Sequence, residues 1–413
     1  LLELKVIRPS QSKHRTTAMI VESGTEIDPV TGKEKRGKER LVFNYKRLND
    51  NTEKDQYSLP GINTIIKRIG NAKIYSKFDL KSGFHQVAMD PESIPWTAFW
   101  AIDGLYEWLV MPFGLKNAPA IFQRKMDNCF RGTEKFIAVY IDDILVFSET
   151  VQQHKEHLKK FMEICERNGL VLSPTKMKIG TRQVDFLGAT IGNSKIKLQP
   201  HIIQKIAETK DEELKEFRGL RRWLGILNYA RSYIPNLGKI LGPLYSKTNP
   251  NGERRMNRQD WVIVDKIKDL VKNLPELELP PNNAMMIIET DGCMEGWGGV
   301  CKWKEQSGQP RWSEKICAYA SGKFNPIKST IDAEIQAVIN SLDKFKIYYL
   351  DKKELIIRTD SQAIVSFYKK SSDHKPSRVR WLAFTDYITG TGLDVKFEHI
   401  DGKDNVLADT LSR

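Results

Sequence analysis

The chain has 413 residues, of which 40% are apolar and 28% charged. This describes roughly two to four globular domains and excludes a disordered or collagen-like chain. The formal net charge of +13, with a pI of about 9.3, favours an anionic polymer as partner, and no run approaches the roughly 18 apolar residues of a membrane-spanning helix. Cys129, Cys165, Cys293, Cys301 and Cys317 have no paired C-x-x-C spacing. A zinc knuckle or disulfide framework is therefore not expected, and a reducing compartment is. There is no signal-peptide pattern, so the protein is not expected to be secreted. The first residue is Leu1, which predicts a fragment or processed product of a longer chain. No Asp-Ser/Thr-Gly triplet occurs, so a retroviral-type protease is not expected within it.

In chain order, Thr16–Val21 and Arg40–Tyr45 read as strands. Between them a turn-rich segment, Asp28–Lys33, runs into Lys33, Lys35, Arg36, Lys38 and Arg40, a basic hairpin tip. Residues 62–70 read as a short helix. The alternating run from Lys73 ends at Asp79, which places that acid at the end of a strand at a sheet edge. Asp103-Gly104 between apolar runs predicts a hairpin. Pro119 marks a helix N-terminus. Ala138–Phe147 holds Asp142-Asp143 between two strand-like runs, so the pair sits at a turn. Residues 151–168 form an amphipathic helix whose His154 and His157 are expected to face solvent. Residues 186–191 form a hairpin. Residues 200–248 are largely helical and basic, with Phe217, Leu220, Leu224 and Leu227 on the apolar face and Arg218, Arg221 and Arg222 free to meet duplex phosphates. Proline-rich breaks place a boundary near residue 282. Beyond it come a strand ending at Asp291, a glycine-rich run from Gly296 to Gly299, further strands, a helix carrying Glu334, and a strand ending at Asp360. His399 and Asp409 follow. Because the sequence stops four residues after Asp409, the last helix is expected to fray.

Adjacent residues on a strand point to opposite faces, so Asp142 and Asp143 converge on one target only where the backbone turns. Side by side, two carboxylates are hard to keep ionised, and a hard divalent cation such as Mg²⁺ removes that difficulty. With Asp79 on a neighbouring strand, the three acids can hold two cations roughly 3.5–4 Å apart, a geometry suited to in-line attack on a phosphoryl group.

Tyr140-Ile141-Asp142-Asp143 and Phe78-Asp79 resemble the polymerase signatures of reverse transcriptases. The stretches 41–49, 111–119 and 186–191 resemble those of plant pararetroviruses (the caulimovirus family) and long-terminal-repeat retrotransposons. Within that group the chain is most similar to bacilliform members such as rice tungro bacilliform virus, and the resemblance covers essentially the whole chain. Asp291, Glu334, Asp360 and Asp409 resemble, in order, the four carboxylates of ribonuclease H.

The resemblance implies an α+β multidomain fold: a right-hand polymerase of fingers, palm and thumb, followed by an α/β ribonuclease H-like domain with a mixed sheet. Its boundaries are 1–195 (fingers and palm), 196–281 (thumb and connection) and 282–413 (ribonuclease H). Asp79, Asp142 and Asp143 would be the catalytic metal ligands of a nucleotidyltransferase. Asp291, Glu334, Asp360 and Asp409 would be those of a hydrolytic endonuclease, with His399 assisting proton transfer. Arg40 would meet the phosphates of the incoming nucleotide, Phe84 would block a ribose 2′-hydroxyl, and Lys176 would lie near the leaving pyrophosphate. Retroviral enzymes carry Gln where this chain has Phe113. Two Mg²⁺ per site are expected, with Mn²⁺ as a substitute. Implied partners are an RNA template, a DNA primer, the RNA–DNA hybrid and deoxynucleoside triphosphates, with no membrane. The implied protein is released from a polyprotein by a separate protease and works in the host-cell cytoplasm or virus particle. The alternatives are an RNA-dependent RNA polymerase and a nucleic-acid-binding protein without catalysis.

Overall fold

The computed structural model of the protein describes all residues except 23–25, 28–33, 36–38, 71, 275, 325–326, 328, 351, 372–378 and 413. Two compact units result: Leu1–Gly61 with Ile74–Thr181, and Ile62–Lys73 with Arg182–Arg413.

The chain begins with β1 (Ile7–Pro9), β2 (Thr16–Glu22), the short pair β3 (Glu26–Ile27) and β4 (Glu34–Lys35), β5 (Glu39–Phe43) and α1 (Lys46–Asp50). Helix α2 (Ile62–Ile69) follows and clusters with the second unit. The first unit resumes with β6 (Ile74–Asp79), β7 (Phe99–Ala101), β8 (Gly104–Trp108), α3 (Ala118–Cys129), β9 (Ile137–Tyr140), β10 (Asp143–Ser148), α4 (Val151–Asn168) and β11 (Lys178–Thr181). The turn-rich segment 28–33, together with Arg36 and Lys38, lies outside the described residues.

Two sheets organise this unit, ordered β1-β8-β7-β2-β5 and β11-β6-β10-β9. The second carries the acids. Its strand β6 is not at a sheet edge, as the sequence suggested, but inside the sheet between β11 and β10. A strand flanked on both sides is buried almost throughout, and Ile74, Tyr75, Ser76 and Phe78 are all buried. Helices α3 and α4 cover the sheet. Phe122 and Met126 of α3 and Phe161 and Ile164 of α4 pack with Phe78, Ile144 and Val146 in one core. Each such side chain contributes about 1.5–3 kcal/mol. Helix α4 starts where Thr150 accepts a hydrogen bond from the Gln153 amide and stops at Gly169, whose φ of 63° suits glycine.

The second unit opens with the antiparallel strands β12 (Gln183–Phe186), β13 (Ala189–Gly192) and β14 (Lys195–Leu198). Then come α5 (Pro200–Ala207), α6 (Asp211–Lys215), α7 (Phe217–Leu227), α8 (Leu237–Ile240), α9 (Gly242–Lys247) and α10 (Arg258–Lys272). Strand β15 (Leu277–Glu278) pairs back onto β14. Helix α7 buries Leu220, Trp223, Leu224 and Leu227 in a core shared with α5 and α10. Trp223 thus joins the apolar face and donates its indole N–H to Ile206 O at 3.1 Å. Arg218 and Arg221 are exposed, whereas Arg222 is paired with Glu213 at 2.6 Å.

The rest of this unit comprises β16 (Met285–Gly292), β17 (Gly296–Lys304), β18 (Lys315–Lys323), α11 (Thr330–Tyr349), β19 (Glu354–Thr359), α12 (Gln362–Ser371), α13 (Val379–Gly390), β20 (Asp394–His399) and α14 (Val406–Ser412). The sheet is mixed, ordered β18-β17-β16-β19-β20, with β16–β19 and β19–β20 parallel. The glycine-rich run lies within β17. Helix α14, where fraying is expected from the sequence, is formed through Ser412. Its Ala408, Leu411 and Ser412 are buried because it packs on the glycines of β17.

Candidate active sites

The β9–β10 hairpin turns at Ile141-Asp142, with Ile141 at a φ of 54°. That turn aims Asp142 and Asp143 at the end of β6, where Asp79 sits. Carboxylate oxygens of Asp79, Asp142 and Asp143 all lie within 4.8 Å of one another. Gly83 permits the approach from the other side, since a Cβ there would meet Asp142 Cβ at 3.1 Å and Phe122 Cζ at 3.3 Å. Burial and then the Asp79 charge push Asp142 above the usual carboxylate range. Asp143 is raised as well, chiefly by burial, with the Lys77 ammonium opposing the shift. Three hard oxygen donors gathered against their own repulsion suit a divalent cation.

Lys176 reaches this cluster, its Nζ 2.9 Å from Asp79 Oδ2. Phe84, just beyond Gly83, is wedged between Phe113 and Phe122, with ring centroids 5.1 Å and 5.4 Å away. Arg40 is exposed on β5 opposite Val21 and makes no described contact with the three acids. The expectation for His154 is overturned. It is buried, with Nε2 2.6 Å from Ser76 Oγ and Nδ1 2.9 Å from Ser148 Oγ. His157 is half-buried, 2.7 Å from the same Ser148 hydroxyl and stacked on Phe136. Helix periodicity did not reveal this because Ser76, which meets His154 Nε2, comes from β6, far away in sequence, while Ser148 ends β10 just ahead of the helix.

In the second unit, carboxylate oxygens of Asp291, Glu334 and Asp360 lie within 4.8 Å of one another. Gly292 makes this possible, since a Cβ there would come within 2.3 Å of Ala333 O and so keep α11 from approaching β16. Burial, with Asp291 and Asp360 beside it, pushes Glu334 up to about 8. Near neutral pH it therefore holds a proton in the cation-free site. Glu334 Oε2 is buried and finds no hydrogen-bond partner among the described residues. An orphaned carboxylate oxygen within an acidic trio fits a cation ligand. Asp409 stands outside the trio, yet its charge helps raise Asp360 after burial. His399 ends β20 with Nε2 3.2 Å from Asp360 O.

One layer deeper lies a feature that the sequence reading missed. Arg358 donates to Glu398 at 2.9 Å, to Glu289 at 3.2 Å and to both oxygens of Glu314 at 2.7 and 2.8 Å. Glu289 and Arg358 are register partners on β16 and β19, two residues before Asp291 and Asp360. Their spacing of two from each acid was the available signal, because residues two apart share a strand face.

Residues 31–191 match the family model for reverse transcriptase (RNA-dependent DNA polymerase), and residues 282–387 match that for an RNase H-like domain found in reverse transcriptase. Polyprotein P3 of Commelina yellow mottle virus, a bacilliform pararetrovirus, is 70% identical over 413 residues. The enzymatic polyprotein of Cauliflower mosaic virus (strain Strasbourg) is 41% identical over 419 residues. Its two matched segments thus fall in the reverse transcriptase and RNase H-like families, and along its whole length the chain is similar to polyproteins of plant pararetroviruses. All of it aligns in both comparisons, and it spans 22% and 60% of those two polyproteins. Among solved structures it resembles the foamy viral protease-reverse transcriptase. The TM-score is 0.71 to the RNA/DNA hybrid complex, at 21% identity over 96% of this chain and 52% of that one. It is 0.72 to a double-stranded DNA complex, at 22% identity over 97% and 68%. The fold is that of a polymerase of this family with a ribonuclease H-like domain. Among the described residues no helix is long and apolar enough to cross a membrane.

Proposed function

We propose that the chain is an RNA- and DNA-dependent DNA polymerase that also degrades the RNA strand of RNA–DNA hybrids, converting viral RNA into double-stranded DNA. The observation that carries this reading is one converging carboxylate trio in each of the two family-matched segments. The substrates are an RNA or DNA template, a DNA primer and deoxynucleoside triphosphates. The division into fingers and palm (1–195), thumb (196–281) and ribonuclease H (282–413) belongs to the same reading. So do release from a polyprotein and work in the host-cell cytoplasm or virus particle.

Asp79, Asp142 and Asp143 would hold Mg²⁺ at the first site, and Asp291, Glu334 and Asp360, with Asp409, at the second. When bound, such an ion pair acidifies the attacking hydroxyl or water and neutralises charge on the departing oxygen. Around it, Lys176 pairs with Asp79 and would present an ammonium to phosphate oxygens. Phe84, braced by Phe113 and Phe122, offers a rigid apolar face beside the Asp142 turn that excludes a ribose 2′-hydroxyl. Arg40 would contribute a guanidinium to the triphosphate. At the second site Glu334 gives up its proton when it becomes a ligand, and His399, close to Asp360, is the group suited to move a proton.

The test is one assay on 5′-labelled RNA annealed to a DNA primer, with Mg²⁺ and deoxynucleotides. Asp142→Asn should stop extension while RNA cleavage persists, and Asp291→Asn should do the reverse. A wild-type chain that binds the hybrid but neither extends nor cuts it would establish the binding-protein reading instead.

A further inference from the structure

The glycines of β17 explain where a positioning group for the second site comes from. Gly298 is the register partner of Asp291, so the two share a face of the sheet. Where a side chain would stand beside Asp291 there is none, and α14 fills the space. A Cβ at 298 would lie 2.4 Å from Leu411 Cβ, 2.5 Å from Ala408 O and 2.8 Å from Ser412 N. One at 296 would lie 3.1 Å from Ser412 O. The last turn of α14 therefore rests on bare backbone next to the acid.

That turn carries Ser412, which is buried, and its Oγ donates to Asp291 Oδ2. Asp409 O is also in range of the hydroxyl, at 2.9 Å. A hydroxyl has one hydrogen to give, and an ionised carboxylate is the stronger acceptor. At the other end of the helix, buried Asn405 donates to Thr290 O at 3.0 Å, one residue before Asp291. Helix α14 is thus pinned to both Thr290 and Asp291. Asp409 lies between the two pins, three residues before Ser412.

We infer that Ser412 is a positioning residue of the ribonuclease site, orienting the Asp291 carboxylate for a divalent cation and setting where Asp409 stands relative to Asp360. The inference rests on the ribonuclease reading above. A carboxylate held by a hydrogen bond is oriented before the cation arrives, and loss of such an outer partner weakens metal sites by roughly 10–100-fold.

The test uses the full chain with Ser412→Ala and Ser412→Thr. Hybrid cleavage is followed across a Mg²⁺ titration and normalised to primer extension by the same sample. Binding of Mn²⁺ is measured separately by electron paramagnetic resonance, in chains that also carry Asp79→Asn and Asp142→Asn so that the signal reports the second cluster. For Ser412→Ala, the Mg²⁺ needed for half-maximal cleavage should rise at least about tenfold and Mn²⁺ affinity should fall in parallel. Ser412→Thr, which keeps the hydroxyl, should restore both. The inference is overturned if Ser412→Ala has wild-type metal dependence. It is equally overturned if cleavage drops at every Mg²⁺ concentration while Mn²⁺ affinity stays unchanged, because Ser412 would then serve only to seat the helix. A wild-type chain that binds no Mn²⁺ at the second cluster and cuts no hybrid overturns the ribonuclease reading itself, and this inference with it.

Discussion

Asp79 and Asp143 are direct register partners across the antiparallel β6–β10 pair. Like charges directly opposite each other destabilise a sheet by roughly 0.2–1 kcal/mol, and Asp143 is partly buried as well. The arrangement thus opposes folding in the absence of a counter-charge, and the strands hold it in place through Ile144, Val146 and Phe78. Asp143→Asn should raise the thermal midpoint of the metal-free chain by about 1–3 °C. The same change should lower primer extension at least about a hundredfold, the range reached by loss of even an outer partner of a metal site. Calorimetry in chelator and a gel extension assay check the two halves. Undiminished extension would remove Asp143 from the site.

Lys176 is largely exposed, so its ion pair with Asp79 contributes at most about 1 kcal/mol to folding. Lys176→Gln should leave the melting curve nearly unchanged. Its effect should appear in the maximal rate of single-nucleotide addition, with hybrid affinity preserved. If the rate is unaffected, the ammonium plays no part in meeting the departing phosphates.

Phe84 is held by two rings rather than free to swing away. Phe84→Val should therefore open space without refilling it, and preference for deoxynucleotides over ribonucleotides should fall by roughly 10–200-fold, the scale of small apolar pocket changes. Competitive single-nucleotide incorporation measures the ratio. An unchanged ratio would mean that Phe84 serves the core alone.

Burial, and then the charge of His157, hold His154 below the usual imidazole range. A group whose folded pKa is depressed takes up protons more readily when unfolded, so stability rises with pH through the window ending near 6.5 and is level above it. Acidification below that value should destabilise the unit containing β6, β10 and α4. His154→Asn should flatten this slope and cost about 1–3 kcal/mol at pH 7.5 through loss of its two hydrogen bonds to Ser76 and Ser148. Denaturant melts between pH 5 and 8 supply the test, and parallel slopes for both proteins would refute it.

Much of the local structure was legible in the sequence because it is encoded locally. The Asp142-Asp143 turn lies between two β-branched runs, α4 shows its apolar stripe and its Gly169 stop, and the strands ending near Asp79, Asp291 and Asp360 alternate or run apolar. What tertiary structure alone decided is which of these ends meet. Register sets Asp79 opposite Asp143, and strand order puts β6 inside its sheet rather than at its edge. Ser76 of the distant strand β6, with Ser148 just ahead of the helix, turned His154 inward. The absence of side chains at Gly292 and Gly298 let two helices approach β16 and β17, bringing Glu334 and Ser412 to Asp291. Periodicity reports which face of an element is apolar. It carries no information about which distant backbone will come within a few ångströms, because that depends on close packing between elements that are not neighbours in sequence.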